Sequence, residues 1–303
     1  MVREGIQLRI KSSISSRIFD VINYSFLIIL ALVCLYPLIY VLFGSVSEPD
    51  KLMKYEGILL FPQGFTFKGY ELVFKNPNIV SGFINTIYYT VLGTAINIVM
   101  TSICAYVISN RQLVLNKFFS KMITFTMLFG GGLIPSYILI KELNLDNSVW
   151  ALVLPGAINV VNMNILRSAF EDVPSSLIEA ARIDGANDVS ILTRIILPVS
   201  KPSIAVISLY YCVAHWNSWF PASIYLKDRD KFPIQVILRE VLIQNDTSSM
   251  ISFGGGIGYD TGASYTQLVQ YCTIIIATVP ILFIYPFLQR YFVKGVMIGA
   301  VKE

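Results

Sequence analysis

The residue types in this 303-residue chain that could do chemistry concentrate in two short stretches, His215-Trp216-Asn217-Ser218-Trp219 and Ser176 to Pro198. The first sets the sole histidine beside two indoles, an amide and a hydroxyl. Such a set suits ring-shaped, hydroxyl-rich ligands, because indole faces stack while amides and hydroxyls hydrogen-bond. In an unbroken helix Trp216 and Trp219, three apart, share a face. Trp216, Asn217 and Trp219 are therefore candidates for ligand contact. Packing of the same rings against a neighbouring helix, or a place in an interfacial aromatic belt, is the competing reading, and the residues leave it open. His215 lacks a second histidine or a nearby carboxylate, so it reads as a hydrogen-bonded core residue rather than a proton switch or metal ligand.

The second stretch predicts two short helices and a turn. Ser176 and Glu179 have capping-box spacing, so a helix can start there and run to about Ile183. Gly185 breaks it, and Asn187 caps a second helix that carries Ile191, Leu192 and Ile195 on one side and ends before Pro198. The product is a compact elbow with a carboxylate, Glu179, on its first arm.

What must position these stretches follows from composition. Hydrophobic residues make up 55% of the chain and charged residues 14%, against about 25% charged in soluble proteins. With a mean hydropathy of +0.65, much of the surface must face lipid, which excludes an ordinary soluble domain, disorder, collagen and coiled coil. Six stretches lack Asp, Glu, Lys and Arg: 21–47, 76–110, 122–140, 147–166, 202–226 and 261–289. Each reaches the length of about 18 residues that a span needs. They predict an all-α integral membrane protein with six transmembrane helices near 21–43, 84–108, 122–140, 149–166, 203–226 and 265–288. The first run is too long for a signal-peptide core and no small-x-small cleavage site follows it, so it reads as a retained anchor. Segments 1–20, 109–121, 167–201 and 289–303 hold 14 Lys and Arg, against nine in the other three loops. By the positive-inside rule both termini are cytoplasmic.

Absences narrow the function. Within the six expected helices His215 is the sole titratable group of the Asp, Glu, Lys, Arg or His type. That argues against an ion-coupled secondary transporter, which needs intramembrane charges or ion-binding backbone breaks. It argues equally against a membrane-embedded enzyme on lipid-linked substrates, which would need a carboxylate pair, a Cys/His pair or a metal cluster. No Gly-Lys dipeptide occurs, so there is no P-loop. The four cysteines, Cys34, Cys104, Cys212 and Cys272, lie singly in apolar runs and read as small buried hydrophobes. No metal or cofactor site is expected in this chain, and the modest net charge of +4 is distributed by membrane side, without a nucleic-acid footprint. Gly130-Gly131-Gly132 reads as a kink ahead of Pro135, and Gly254-Gly255-Gly256 as a turn in the last outer loop.

The elbow resembles the EAA loop of permease subunits of ATP-binding-cassette importers. Glu179-Ala180-Ala181, Asp184-Gly185-Ala186 and Ile195-Ile196-Leu197-Pro198 fall on that pattern, with Leu192 where carbohydrate-importing members commonly have Phe. The tail from Gln289 to Glu303 is similar to the ends of maltose-type six-span permeases. The stretch Met127 to Phe170, with Gly130-Gly131-Gly132-Leu133-Ile134-Pro135 and Trp150 to Pro155, is similar to the branch that moves complex or uronide-containing oligosaccharides. The resemblance implies a type I importer in a bacterial cytoplasmic membrane. A homologous second permease pairs with this chain, two ATPase subunits bind ATP and Mg below, and an extracytoplasmic solute-binding protein delivers an oligosaccharide from above. It further implies a 21–288 permease domain between a 1–20 segment and a 289–303 tail that lies against the ATPases. The 174–198 elbow docks in an ATPase cleft: Glu179 pairs with a basic group, Ala180 and Ala181 permit close approach, and Gly185 permits the turn. The same resemblance makes Gly254, Gly255 and Gly256 the candidate loop toward the binding protein.

Overall fold

The computed structural model describes residues 14–110, 113–243 and 262–300, with backbone alone for 262–264, 284–285 and 287–300. Among the described residues every regular element is helical. In chain order these are α1 (Ile14–Ser45), α2 (Pro49–Met53), α3 (Lys68–Lys75), α4 (Pro77–Ser109), α5 (Asn116–Leu128) and α6 (Leu133–Glu142). There follow α7 (Val149–Val153), α8 (Val160–Glu171), α9 (Ser175–Ile183), α10 (Asp188–Ile191), a π-helical turn (Leu192–Ile196) and α11 (Leu197–Val199). The last are α12 (Lys201–Trp216), α13 (Trp219–Tyr225), α14 (Ile234–Ile243) and α15 (Gly262–Ala300).

Three helices are long and apolar enough to cross a membrane: α1, α4 and the 265–283 part of α15. Their sequences carry no internal charge over a bilayer's depth, so nothing stops the 1.5 Å-per-residue climb. The other expected spans are interrupted. Helix 122–140 is divided into α5 and α6, bent by 112° where Gly130-Gly131-Gly132 supplies no side chains to hold a helix. Helix 149–166 is divided into α7 and α8, because Pro155 and Gly156 sit in the gap from Leu154 to Asn159. Helix 203–226 is divided into α12 and α13 at Asn217 and Ser218. Conversely, α15 runs through Pro280, Pro286 and the expected end near residue 288.

Helix α4 is the axis of the fold, packing against α8 and α12, with α12 also against α15. Two cores lie at its two ends. Near its start, Ile79 joins Leu72 and Val73 of α3, Ile234, Ile237 and Val241 of α14, and Leu268, Val269 and Cys272 of α15. Near its end, Ala105 joins Met163, Leu166 and Phe170 of α8, Ile191, Leu192 and Ile196 of the elbow, and Ile207 of α12. Ile79 and Ala105 are 26 residues apart, about 39 Å along a helix. Helix α1 stands apart: most of it is exposed, and it meets α15 near its C-terminal end through Tyr40 and Tyr271, ring centroids 5.9 Å apart. Exposure of α1 also leaves Cys34 exposed, whereas Cys272 is buried as expected; Cys104 and Cys212 are half-buried, and no cysteine is in a disulfide.

Candidate functional site

The elbow forms as two arms about Gly185. Helix α9 ends at Ile183, and Gly185 takes φ +79°, a left-handed conformation that costs a side-chain-bearing residue steric strain. Asn187 then caps α10, its side-chain oxygen accepting from the Ser190 N–H at 2.8 Å. The expected Ser176/Glu179 capping box does not form. Helix α9 begins one residue earlier, at Ser175, with Pro174 as an N-cap that has no side-chain hydrogen bond. The second arm continues past the expected stop: the chain widens into the π-turn and carries Pro198 inside α11, where the missing proline N–H falls in a turn already off the α register.

This elbow is packed on one side and bare on the other. Ile191, Leu192 and Ile196 are buried against α4, α8 and α12, and the Tyr106 hydroxyl of α4 donates to Asp188 Oδ1 at 2.8 Å. Outward, Ile183 is 87% and Val189 69% exposed, and Glu179 and Ala180 are also exposed. Glu179 lines a cleft of about 240 Å³ with Tyr106, Ser109, Ser175, Ile178 and Arg182. Asp184 and Gly185 lie at the exposed tip, Ile195, like Ala181 and Leu197, is half-buried, and Pro198 is exposed.

The second stretch is split by the break after α12. Trp216 is 4% exposed, its indole N–H donates to the Ala277 carbonyl at 3.0 Å, and its ring meets Phe83 edge-on at 5.9 Å. The expectation of Trp216 on a ligand path is corrected: the ring fills the seam between α4, α12 and α15. The shared helical face with Trp219 is lost too, since Asn217 and Ser218 leave the helix and Trp219 starts α13. Asn217 is exposed, with its amide donating back to the Val213 carbonyl at 2.9 Å. Trp219 is 38% exposed and carries the Arg239 guanidinium 4.5 Å above its ring.

His215 belongs to a polar knot that sequence reasoning did not assemble. Its Nε2 lies 2.6 Å from Asn97 Oδ1, and the fully buried Asn97 donates its amide to the carbonyls of Gly156 and Ala157 at 2.6 and 2.9 Å. Because Asn97 nitrogen is committed to carbonyls, its oxygen must accept, which places the ring proton on His215 Nε2. One turn along, the Tyr211 hydroxyl accepts from the Asn159 N–H at 2.9 Å and pairs with Thr101 at 2.7 Å. Backbone opened by Pro155 and Gly156 is thereby satisfied by side chains of α4 and α12, as a water-free environment demands. A Cβ at Gly93 would fall 2.5 Å from His215 Nε2, so glycine there admits the ring.

At the other end of α4, Asn147 gathers the 225–231 segment. Its amide donates to Asp228 Oδ2 at 2.7 Å, its side-chain oxygen accepts from the N–H groups of Lys227 and Asp228, and its carbonyl accepts from Lys231 Nζ. Lys227 pairs with Asp146 at 2.6 Å and Lys231 with Asp228 at 2.8 Å. The hydrogen bond from Lys227 holds the Asp146 carboxyl below its usual value of 3.8, and bonds from Lys231 and Asn147 do the same for Asp228.

Arg239 and the helix α14 that carries it were not expected, since 227–264 read as a loop. The spacing of Ile234, Ile237 and Val241, one helical stripe, was the available signal. Gly254, Gly255 and Gly256 lie outside the described residues, as do the last residues of the tail, 301–303. Among the described residues no three His, Cys, Asp or Glu side chains come together as a metal site.

A helical bundle with an elbow projecting from one end and no nucleotide loop of its own has the form of a membrane translocation subunit. Residues 118–298 match the family of the binding-protein-dependent transport system inner membrane component, and the chain belongs to that family. It is 40% identical over 292 residues to the polygalacturonan/rhamnogalacturonan transport system permease protein YtcP of Bacillus subtilis (strain 168), covering 95% of this chain and 99% of that one. Protein LplC of the same organism is 37% identical over 288 residues, covering 95% and 96%. Among solved structures, a bacterial ABC transporter involved in import of the acidic polysaccharide alginate superposes with a TM-score of 0.83. It is 30% identical and covers 93% of this chain and 99% of that one. The protein is accordingly a multi-pass inner-membrane permease subunit of an ATP-binding-cassette sugar importer.

Proposed function

We propose that this permease moves oligosaccharides bearing uronate carboxylates and is driven through its elbow by partner ATPases. The cargo class is taken from the polygalacturonan/rhamnogalacturonan permease and the importer of acidic alginate, both similar along nearly their whole length. The observation that carries the drive is the elbow's two-sidedness: Ile191 and Ile196 anchor it to the bundle while Ile183, Val189 and Glu179 stand bare. Exposed apolar residues beside a free carboxylate suit a docking surface, and a rigidly packed lever can pass motion into α4, α8 and α12.

In this reading two ATPase subunits bind ATP and Mg at the elbow side, a homologous permease completes the pathway, and an extracytoplasmic solute-binding protein delivers cargo to the Asn147 side. Both termini are cytoplasmic. Six crossings are made by α1, α4, the bent pair α5 and α6, the interrupted pair α7 and α8, the pair α12 and α13, and α15. Glu179 faces a basic group of the ATPase, Ala180 and Ala181 admit its backbone, and Asp184, Gly185, Ile195, Leu197 and Pro198 fix the shape that docks. Asn217 and Trp219 face the cargo. The test is the assembled transporter carrying Glu179→Lys or Gly185→Asp. Each is expected to lose ATPase co-purification and substrate-stimulated hydrolysis while inserting normally, and unchanged values for both would overturn the coupling role.

A further inference from the structure

The Arg239–Trp219 pair lies in a cleft of about 400 Å³ between α13 and α14, lined also by Gln235, Leu238 and Leu242, within the range of about 300–1,000 Å³ typical of small-ligand sites. From its geometry we propose that this cleft is a uronate subsite on the entry side of the permease, with Arg239 binding the carboxylate and Trp219 the sugar face. The proposal rests on the cargo class proposed above and assigns that class to named side chains.

Three features of the cleft carry it. First, the guanidinium is held over an aromatic ring. Its carbon sits 4.5 Å from the Trp219 ring centroid, a cation–π contact that does not use up the fork of N–H donors. That fork matches a carboxylate in a bidentate bond, whereas it gains little from a neutral hydroxyl. Trp219 is itself pinned by Phe220, edge-on at 5.4 Å. Second, the charge has no acidic partner among the described residues. Glu240, the adjacent acid, is paired with Arg229 at 2.9 Å, and Arg239 has no hydrogen bond or ion pair among the described residues. Third, the surroundings suit a sugar. Gln235 lies one turn before Arg239 on the same face of α14, offering an amide for hydroxyls, and Leu238 and Leu242 present an apolar floor. Part of the Trp219 ring remains open, at 38% exposure.

The experiment uses the complete transporter in proteoliposomes, with its partner permease, ATPases and binding protein, and compares uptake of trigalacturonate with that of its neutral methyl ester. Arg239→Gln is expected to lower uptake of subsaturating trigalacturonate about tenfold or more, the worth of a lost charge-assisted pair. Uptake of the ester and basal ATP hydrolysis should stay within about twofold, as the charge-assisted bond is absent there. Arg239→Lys should recover little, since an ammonium does not offer the guanidinium's fork, and Trp219→Leu, which removes the ring that both ligands share, should lower uptake of acid and ester alike with the binding protein still co-purifying. Equal uptake of trigalacturonate by wild type and Arg239→Gln would overturn the subsite alone. Equal loss of acid and ester, with the binding protein no longer co-purifying, would overturn it in favour of a protein-docking surface. Failure of the wild type to take up trigalacturonate would overturn the cargo class and the subsite with it.

Discussion

Asn97 ties α4 to two other pieces of chain through three groups: two carbonyls of the gap before α8 and the imidazole of α12. Replacing it with alanine orphans all three in a site with no water to compensate, at about 1–3 kcal/mol for each group left bare. Asn97→Ala is therefore expected to lower the thermal midpoint of the detergent-solubilised protein by many degrees; a shift of less than a couple of degrees would show that the gap is held by other means. Trp216→Ala should cost about 3–5 kcal/mol of stability, as for other buried tryptophans. The same midpoint reads it, together with loss of the subunit from the membrane fraction, and a stable variant with impaired uptake would return Trp216 to the ligand path. The polar character of Asn97, Asn159 and His215 was plain in the sequence. Their meeting was not, because 118 residues separate Asn97 from His215 and no local pattern records such a distance.

At the scale of elements, long helices were legible and broken ones were not. Helices α1 and α4 follow from uninterrupted apolar runs, and Gly185 and Asn187 place the elbow's turn and second cap because each acts on its own neighbours. The gap at Leu154–Asn159 needed knowledge that Asn97 and Tyr211 would satisfy its backbone; without that, a continuous helix is the cheaper solution in lipid. The 225–231 segment makes a pH prediction. Asp146 and Asp228 have carboxyls held below their usual 3.8, so the ties they make are fully present above that value and are lost as pH falls through the lower, folded values. Hydrogen exchange of residues 225–231 should be flat from pH 5 to 8 after correction for intrinsic rates, and protection should fall below the unperturbed value of 3.8. Loss of protection near pH 6 would assign the tie to some other group.

For the whole molecule, the distribution of basic residues and the two cores at opposite ends of α4 make one joint prediction about sidedness. With the four native cysteines replaced, Ser176→Cys and Asp230→Cys place single thiols at the elbow and at the Asn147 cluster, both at exposed positions. A membrane-impermeant maleimide added to intact cells should label the cysteine at 230 and leave the one at 176 unlabelled until the cells are opened. The reverse pattern would invert the topology and, with it, the assignment of the Arg239 cleft to the entry side.

The knot around Asn97 also restricts how the bundle can move. A one-turn slide of α12 along α4, about 5.4 Å, would part His215 from Asn97 and Tyr211 from Thr101 in the same stroke. It would also pull Tyr211 from the Asn159 N–H. All of these bonds would be given up in one stroke, so sliding of α12 on α4 is the costly motion, and α4, α8 and α12 are expected to move together with the elbow riding on them. Opening and closing is then expected to hinge elsewhere, as at the 112° bend between α5 and α6.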